Sequence, residues 1–289
     1  MQQSSGRSSA QSARHKTGKS GRRSSRRELG QNFLRDGRTA RRIVDESGVG
    51  KDDLVVEIGA GGGMLTRQLA RTAGRVVAVE YDPFWVARLR ERFPARGNVL
   101  VVRADARELE LSEEPFVVVA NIPFQFTTSL LHRLLDDPTN ALQRAHLVVQ
   151  EQVALKHAGR DRTTLKTLNW SPWYEFSAGL HLPAGAFHPR PGVDACLMVA
   201  AKRGPPLVEP GHRHLFRALA RQAFEGRGNN LGKVLKPTFT RTQLRRLASD
   251  HGFSLNSYPS ELTVYQWRSI FDFMVARIPP DRWPRVGRF

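Results

Sequence analysis

Leu54-Val55-Val56-Glu57-Ile58-Gly59-Ala60-Gly61-Gly62-Gly63 is a short, nearly continuous apolar run that ends in a glycine cluster, and Met64 to Arg71 follows with helical spacing. Strand, glycine turn and helix succeed one another without a break. The alternation extends outward on both sides. Before it, Asp36 to Ser47 reads as a helix with Asp36 as N-cap and Ile43 and Val44 on its apolar side. After it come Arg75 to Val79 as strand, Pro83 to Arg92 as helix, Val99 to Val102 and Phe116 to Ala120 as strands, Thr127 to Leu135 as helix and His146 to Val149 as strand. Apolar strands separated by helices predict an α/β fold of the Rossmann-like class, a mostly parallel sheet with helices on both faces. Glu151 to His157 and Thr163 to Trp170 then read as helices. Glu175 to Leu182 and Val193 to Ala201 read as strands joined through Phe187-His188-Pro189-Arg190-Pro191. With no helix between them, these two strands are expected to pair antiparallel at a sheet edge. Gly204-Pro205-Pro206 is the best internal boundary. Past it, Arg213 to Phe224, Arg241 to His251 and Ser260 to Ala276 carry apolar residues three and four apart, so a small all-helical C-terminal domain is expected.

The chain has 289 residues, and 45 Lys and Arg against 27 Asp and Glu give a formal charge of +18. Hydrophobic residues make up 40%, which excludes a wholly disordered polycation. The charge is uneven. Residues 1–27 hold eight Lys or Arg and no acid in a Ser, Gly and Gln background, the composition of a disordered basic arm. Arg277 to Phe289 adds +3, and the body between them keeps +7. The 37 Arg against 8 Lys would fit the coding bias of a GC-rich genome, a reading that leaves the excess over acids unexplained. A polyanion is the favoured partner. Nucleic acid ranks ahead of a membrane surface, because the arm has no basic helix with bulky apolar residues. The single cysteine, Cys196, excludes an intramolecular disulfide and thiolate zinc sites. No apolar run approaches the roughly 18 residues of a spanning helix. A soluble cytoplasmic protein is the expectation.

Glycines at a strand end let the backbone turn tightly and approach a ligand, and the next helix offers free N–H groups. A ligand-free turn would explain such a cluster equally well on its own. Glu80 tips the balance: it lies 21 residues beyond Gly59 at the end of the second strand, where a carboxylate accepts ribose hydroxyls. Asp105 ends the third strand, placed to accept from an adenine amino group. These strand ends describe a nucleoside pocket, which a dinucleotide would also satisfy. Ala120-Asn121-Ile122-Pro123-Phe124 is more specific, since it matches the Asn/Asp-Pro-Pro-Tyr/Phe pattern of enzymes that methylate exocyclic amines. An adenine N6 lone pair is delocalised and weakly nucleophilic. The side-chain oxygen of Asn121 and the carbonyl of Ile122 are suited to accept its two hydrogens, with Pro123 stiffening the loop and Phe124 as a stacking face for a flipped-out base. No general base of shifted pKa is needed.

Five segments in order, Leu29-Gly30-Gln31-Asn32-Phe33-Leu34, Val56-Glu57-Ile58-Gly59-Ala60-Gly61, Val79-Glu80-Tyr81-Asp82, Asn121-Ile122-Pro123-Phe124 and Phe187-His188-Pro189-Arg190-Pro191-Gly192-Val193-Asp194, resemble the rRNA adenine N6-methyltransferases. That family includes the Erm enzymes of 23S rRNA and the KsgA enzymes of the small subunit. The resemblance implies S-adenosylmethionine as methyl donor. It places Gln31, Asn32 and Leu34 over the methionine end, and Gly59, Ala60 and Gly61 under the carboxypropyl and ribose portion. Glu80 with Tyr81 falls at the ribose, Asp105 with Ala106 at the adenine, and Asn121 and Phe124 on the target base. Phe124 lacks the phenolic hydroxyl of the commoner Tyr, so only stacking is assigned to it. Asn-Ile-Pro-Phe and the arginine-rich arm look like the Erm branch, which implies a monomer acting on 23S rRNA and resistance to macrolide, lincosamide and streptogramin B antibiotics. The alternatives are a KsgA-type dimethyltransferase, a non-enzymatic RNA-binding or transcription factor of the same fold, and a DNA adenine methyltransferase. The expected division is a disordered basic arm (1–28), a cofactor-binding domain (29–203), a helical RNA-binding domain (204–278) and a basic tail (279–289). His212 and His214 read as surface residues rather than metal ligands, Cys196 as core filler, and Trp170, Trp173 and Trp267 as packing anchors. Arg160, Arg162 and Lys166 form a basic cluster suited to RNA phosphates.

Overall fold

A computed structural model describes residues 32–94, 97–159 and 162–287. Gln31, Arg160 and the N-terminal arm lie outside the described residues.

The elements, in chain order, are β1 (Phe33–Leu34), α1 (Gly37–Ser47), β2 (Leu54–Ile58), α2 (Met64–Thr72), β3 (Arg75–Glu80), α3 (Pro83–Arg92), β4 (Val99–Arg103), β5 (Phe116–Ala120), α4 (Thr127–Leu135), β6 (Leu142–Gln150), α5 (Glu151–His157) and α6 (Leu165–Leu168). They continue with β7 (Tyr174–Leu182), β8 (Phe187–His188), β9 (Ala195–Lys202), α7 (Arg213–Glu225), α8 (Leu231–Val234), α9 (Arg241–His251) and α10 (Val264–Arg277). Seven strands form one sheet in the order β4-β3-β2-β5-β6-β9-β7. The first five are parallel, β9 runs antiparallel to β6, and β7 runs antiparallel to β9. The strand order reverses between β2 and β5. At such a switch point the following loops diverge to opposite faces and leave a crevice at the carboxyl ends of the strands.

Successive residues of β2 and β5 point into two different apolar clusters, one on each face, which is why both strands read as unbroken apolar runs. Val55, Val117 and Val119 pack with α1, α2 and α3 through Ile43, Val44, Leu69 and Leu89. Leu54, Val56, Val118 and Ala120 pack on the other face with α4, Trp170, Trp173 and the C-terminal helices. That second cluster runs without interruption to Phe216, Trp267 and Met274. Cys196 and the three tryptophans are buried in it.

Local signals set the helix ends. Asp36 caps α1 by accepting the Thr39 N–H at 2.8 Å; such a cap is worth about 1 kcal/mol. Thr240 with Gln243 and Thr263 with Gln266 form capping boxes on α9 and α10.

Several elements differ from the sequence reading. β6 begins at Leu142, four residues early, because its polar start is used: Arg144 reaches the carbonyls of Ser47 and Gly48 and pairs with Asp53. The helix expected over Thr163 to Trp170 shortens to the single turn α6, started by the Thr164 cap. The last helix starts at Val264 rather than Ser260, after a 3-10 turn at Pro259–Glu261. Part of the basic tail is packed: Trp283 is half-buried against the second cluster and its indole N–H donates to the Ile278 carbonyl at 2.9 Å.

Candidate active site

The crevice at the switch point is an open cleft of about 450 Å³. Asn32, Leu34, Gly59, Ala60, Gly61, Glu80, Tyr81, Asp105, Ala106 and Asn121 all line it. Ten of the twelve residues singled out from the sequence therefore converge on one cavity, although they span 90 positions of chain. Of the other two, Gln31 lies outside the described residues. Phe124 is half-buried against the apolar cluster of the α1–α3 face and is not part of the lining; Phe126, two residues on, is. A 3-10 turn over Phe124–Phe126 follows the Asn121-Ile122-Pro123 segment and separates the Phe124 ring from that of Phe126.

The floor is the glycine turn. Gly59 has φ +77°, and a Cβ there would meet Ile122 Cγ2 at 3.2 Å; at Gly61 φ is +50° and a Cβ would meet Phe33 Cε1 at 2.9 Å. The left-handed backbone and the close approach of Ile122 and Phe33 thus leave room only for glycine at these two positions.

Two acids of opposite character flank the turn. Glu80 is almost fully buried, and its carboxylate accepts the N–H groups of Gly61 at 2.7 Å, Tyr81 at 2.8 Å and Asp82 at 2.9 Å. It ties the glycine turn to the end of β3 and retains acceptor capacity toward the cleft. Glu57, at 1% exposure, has no such partners: burial pushes its carboxyl up to about 8, Thr66 offsets this only in part, and Oε2 has no hydrogen-bond partner. A protonated acid with an unsatisfied oxygen thus lines the cleft near neutral pH. Asp105 is engaged by Arg107, whose Nε donates to it at 3.0 Å and whose backbone N–H donates at 2.9 Å; these bonds hold its carboxyl below the usual range.

Asn121 extends from the end of β5, and its Nδ2 donates to the Asn32 carbonyl at 3.0 Å. With the amino end of the amide committed there, Oδ1 is left as the acceptor. The cleft is also lined by aromatic side chains that the sequence does not single out as site residues, Phe33, Trp85 and Phe126, with Phe33 and Trp85 5.4 Å apart. Trp85 sits within the apolar pattern of α3, and nothing in its spacing separates a cleft-lining ring from a core one.

Elsewhere, Arg162 pairs with Glu261 at 3.4 Å and approaches the ring of Tyr258. Among the described residues there is no cluster of metal-binding side chains and no helix long and apolar enough to cross a membrane.

Sheet order and cleft together define a Rossmann-like α/β protein with an open cleft at the switch point. The chain belongs to the ribosomal RNA adenine dimethylase family, whose model matches residues 22–275. An rRNA adenine N-6-methyltransferase of Bacillus licheniformis is 30% identical over 262 residues, covering 90% of each chain. The mycinamicin-resistance protein MyrB of Micromonospora griseorubida is 33% identical over 246 residues, 85% of this chain and 78% of that one. Among solved structures, the 23S rRNA methyltransferase ErmE superposes with a TM-score of 0.76 at 28% identity, over 84% of this chain and all of that one.

Proposed function

We propose that the protein transfers a methyl group from S-adenosylmethionine to N6 of an adenine in the peptidyl-transferase region of 23S rRNA, conferring resistance to macrolide, lincosamide and streptogramin B antibiotics. The observation that carries this reading is the Asn121 amide, held with its oxygen free at the edge of a nucleoside-sized cleft. Likeness to the 23S rRNA methyltransferase ErmE favours the large-subunit target, and likeness to the mycinamicin-resistance protein MyrB favours the resistance role.

The cleft fits the cofactor. The glycine turn brings Gly59 to Gly61 to the cleft with no room for side chains at Gly59 and Gly61, and the unsatisfied Glu57 Oε2 suits a cationic amino group. Asn32, Leu34 and Gly59 to Gly61 would hold the methionine portion, Glu80 the ribose with its remaining acceptor capacity, and Asp105 with Ala106 the adenine. When bound, the cofactor supplies an electrophilic methyl group on a sulfonium. The protein's own part is positioning: Asn121 Oδ1 and the Ile122 carbonyl accept the two N6 hydrogens and favour a tetrahedral nitrogen whose lone pair faces the methyl group. Phe126, which lines the cleft two residues past Phe124, offers a face for the flipped base. The proton becomes acidic only after transfer and needs no dedicated base. The basic arm and the helical segment from residue 204 onward supply sequence-independent contacts to phosphates, so affinity falls with salt.

Asn121→Ala is expected to abolish methyl transfer while leaving cofactor affinity within about threefold; full turnover with labelled donor would overturn the mechanism. Expression in a sensitive host, growth on a macrolide and primer extension on both rRNAs test the target. Modification confined to the small subunit would refute the large-subunit assignment.

A further inference from the structure

The segment Phe187-His188-Pro189-Arg190-Pro191-Gly192-Val193-Asp194 has no role in the chemistry above. Its packing supplies one. Phe33 pairs with His188 and Leu34 with Phe187 in the two-stranded sheet of β1 and β8, and the Arg35 N–H donates to the Ala186 carbonyl at 2.8 Å. The loop before β8 is held in turn by Asp194, whose Oδ1 accepts the Ala184 N–H at 2.7 Å. Asn32, Phe33 and Leu34 line the cleft, with the Phe33 ring resting on Gly61 and Trp85. At the end of this chain of contacts the Asn32 carbonyl takes the Asn121 Nδ2.

We propose that residues 32–35 form a strap, anchored by the 184–194 loop, whose Asn32 carbonyl orients the Asn121 amide for catalysis. This rests on the assignment of Asn121 as acceptor for the target amine. An amide side chain is nearly symmetric in shape, and its two ends differ only in donating or accepting. A backbone carbonyl can only accept, so it captures the NH2 end and leaves the oxygen toward the incoming amine. Without the strap, the flipped amide would present donors to an amine that also needs acceptors. Asn32 is a positioning residue, and the 184–194 loop acts through it.

The decisive variant is Asn121→Asp, assayed by single-turnover methyl transfer to deproteinised 23S rRNA between pH 5.5 and 8.5. As a pure acceptor, a carboxylate would serve at least as well as the amide. Against the Asn32 carbonyl it has no hydrogen to donate and sets oxygen against oxygen. The expected rate at pH 8 is about tenfold or more below wild type. As the introduced carboxyl protonates, it regains a donor for Asn32 while keeping an acceptor for the amine, so the variant-to-wild-type ratio rises on acidification. The other titratable groups facing the cleft, Glu57 from β2, Glu80, Tyr81 and Asp82 after β3, and Asp105 and Arg107 after β4, are common to both proteins and cancel in that ratio. A ratio independent of pH, whether near one or low, overturns the proposal.

Asp194→Ala and Asp194→Asn test the anchor, since the Asp194 side chain is about half exposed. The alanine variant is expected to lower the rate about fivefold with cofactor affinity unchanged, and the asparagine variant, which keeps an acceptor for Ala184, to restore it. An unaffected alanine variant counts against the anchor. An active Asn121→Ala would instead sink the acceptor assignment itself. An inactive Asn121→Ala beside a pH-independent Asn121→Asp would remove the strap alone.

Discussion

Glu57 makes the stability of the unloaded protein fall as pH rises. Its carboxyl titrates at about 8 in the fold against an ordinary 4.5, because burial penalises the charged form. Between those values the folded state keeps a proton that the unfolded chain has released. Stability from this group is therefore complete below pH 4.5 and declines by about 1.4 kcal/mol per pH unit until pH 8. From pH 5 to 8 the loss is about 4 kcal/mol, a large part of the 5–15 kcal/mol typical of a folded domain. Glu57→Gln removes the titration and keeps the shape. Chemical denaturation of both proteins without cofactor, at pH 5, 6, 7 and 8, is expected to show the stability difference shifting toward the variant by several kcal/mol across the series. A difference constant with pH would refute the assignment of a raised carboxyl at this position. Saturating S-adenosylmethionine is expected to flatten the wild-type curve, because a cation beside the carboxyl favours its charged form.

His146 on β6 acts at the other end of the scale. Buried with both ring nitrogens unpartnered, it titrates at about 4 instead of 6.5, so the unfolded chain binds more protons and stability is lost as pH falls through that window. His146→Leu is expected to recover about 3 kcal/mol at pH 4 relative to pH 7, measured by denaturation; parallel acid limbs would contradict this. Gly61→Ala places a Cβ 2.9 Å from Phe33 at φ +50°. It is expected to weaken S-adenosylmethionine binding at least tenfold by calorimetry and to cost about 1–2 kcal/mol of stability, and unchanged affinity would count against the role of the turn. Removing residues 1–27 deletes eight cationic side chains. RNA affinity and its salt dependence should both drop, whereas an unaltered salt slope would show that the arm stays off the phosphates.

The central sheet was legible because strands covered on both faces leave apolar runs with no polar phase. The cleft was legible because polar residues and glycines at strand ends break those runs abruptly: Gly59, Glu80 and Asn121 each stop one, and Asp105 follows two residues after β4. The two-residue strands β1 and β8 were not legible, since a pairing that short has no period, and its function lies in a backbone carbonyl that any residue at position 32 would carry. Nor was the engagement of Asp105, which depends on Arg107 folding back across one residue. The aromatic at Phe126 escaped notice because the motif draws attention to Phe124, while the intervening 3-10 turn decides which ring reaches the cavity.

A single apolar cluster joins Leu54 and Val118 under the sheet to Trp267 and Met274 in the last helix. Arg217, buried, is stacked over Trp173 and donates to the Asn169 carbonyl at the same seam. The helical segment is consequently not a cassette that can be exchanged between relatives by recombination at Gly204. A graft would have to bring the underside of β2, β5 and β6 with it, or leave large aromatic side chains without partners. If the helical segment binds RNA as proposed, changes in which RNA it takes are expected to accumulate as surface substitutions on α9 and α10, over an interior held constant.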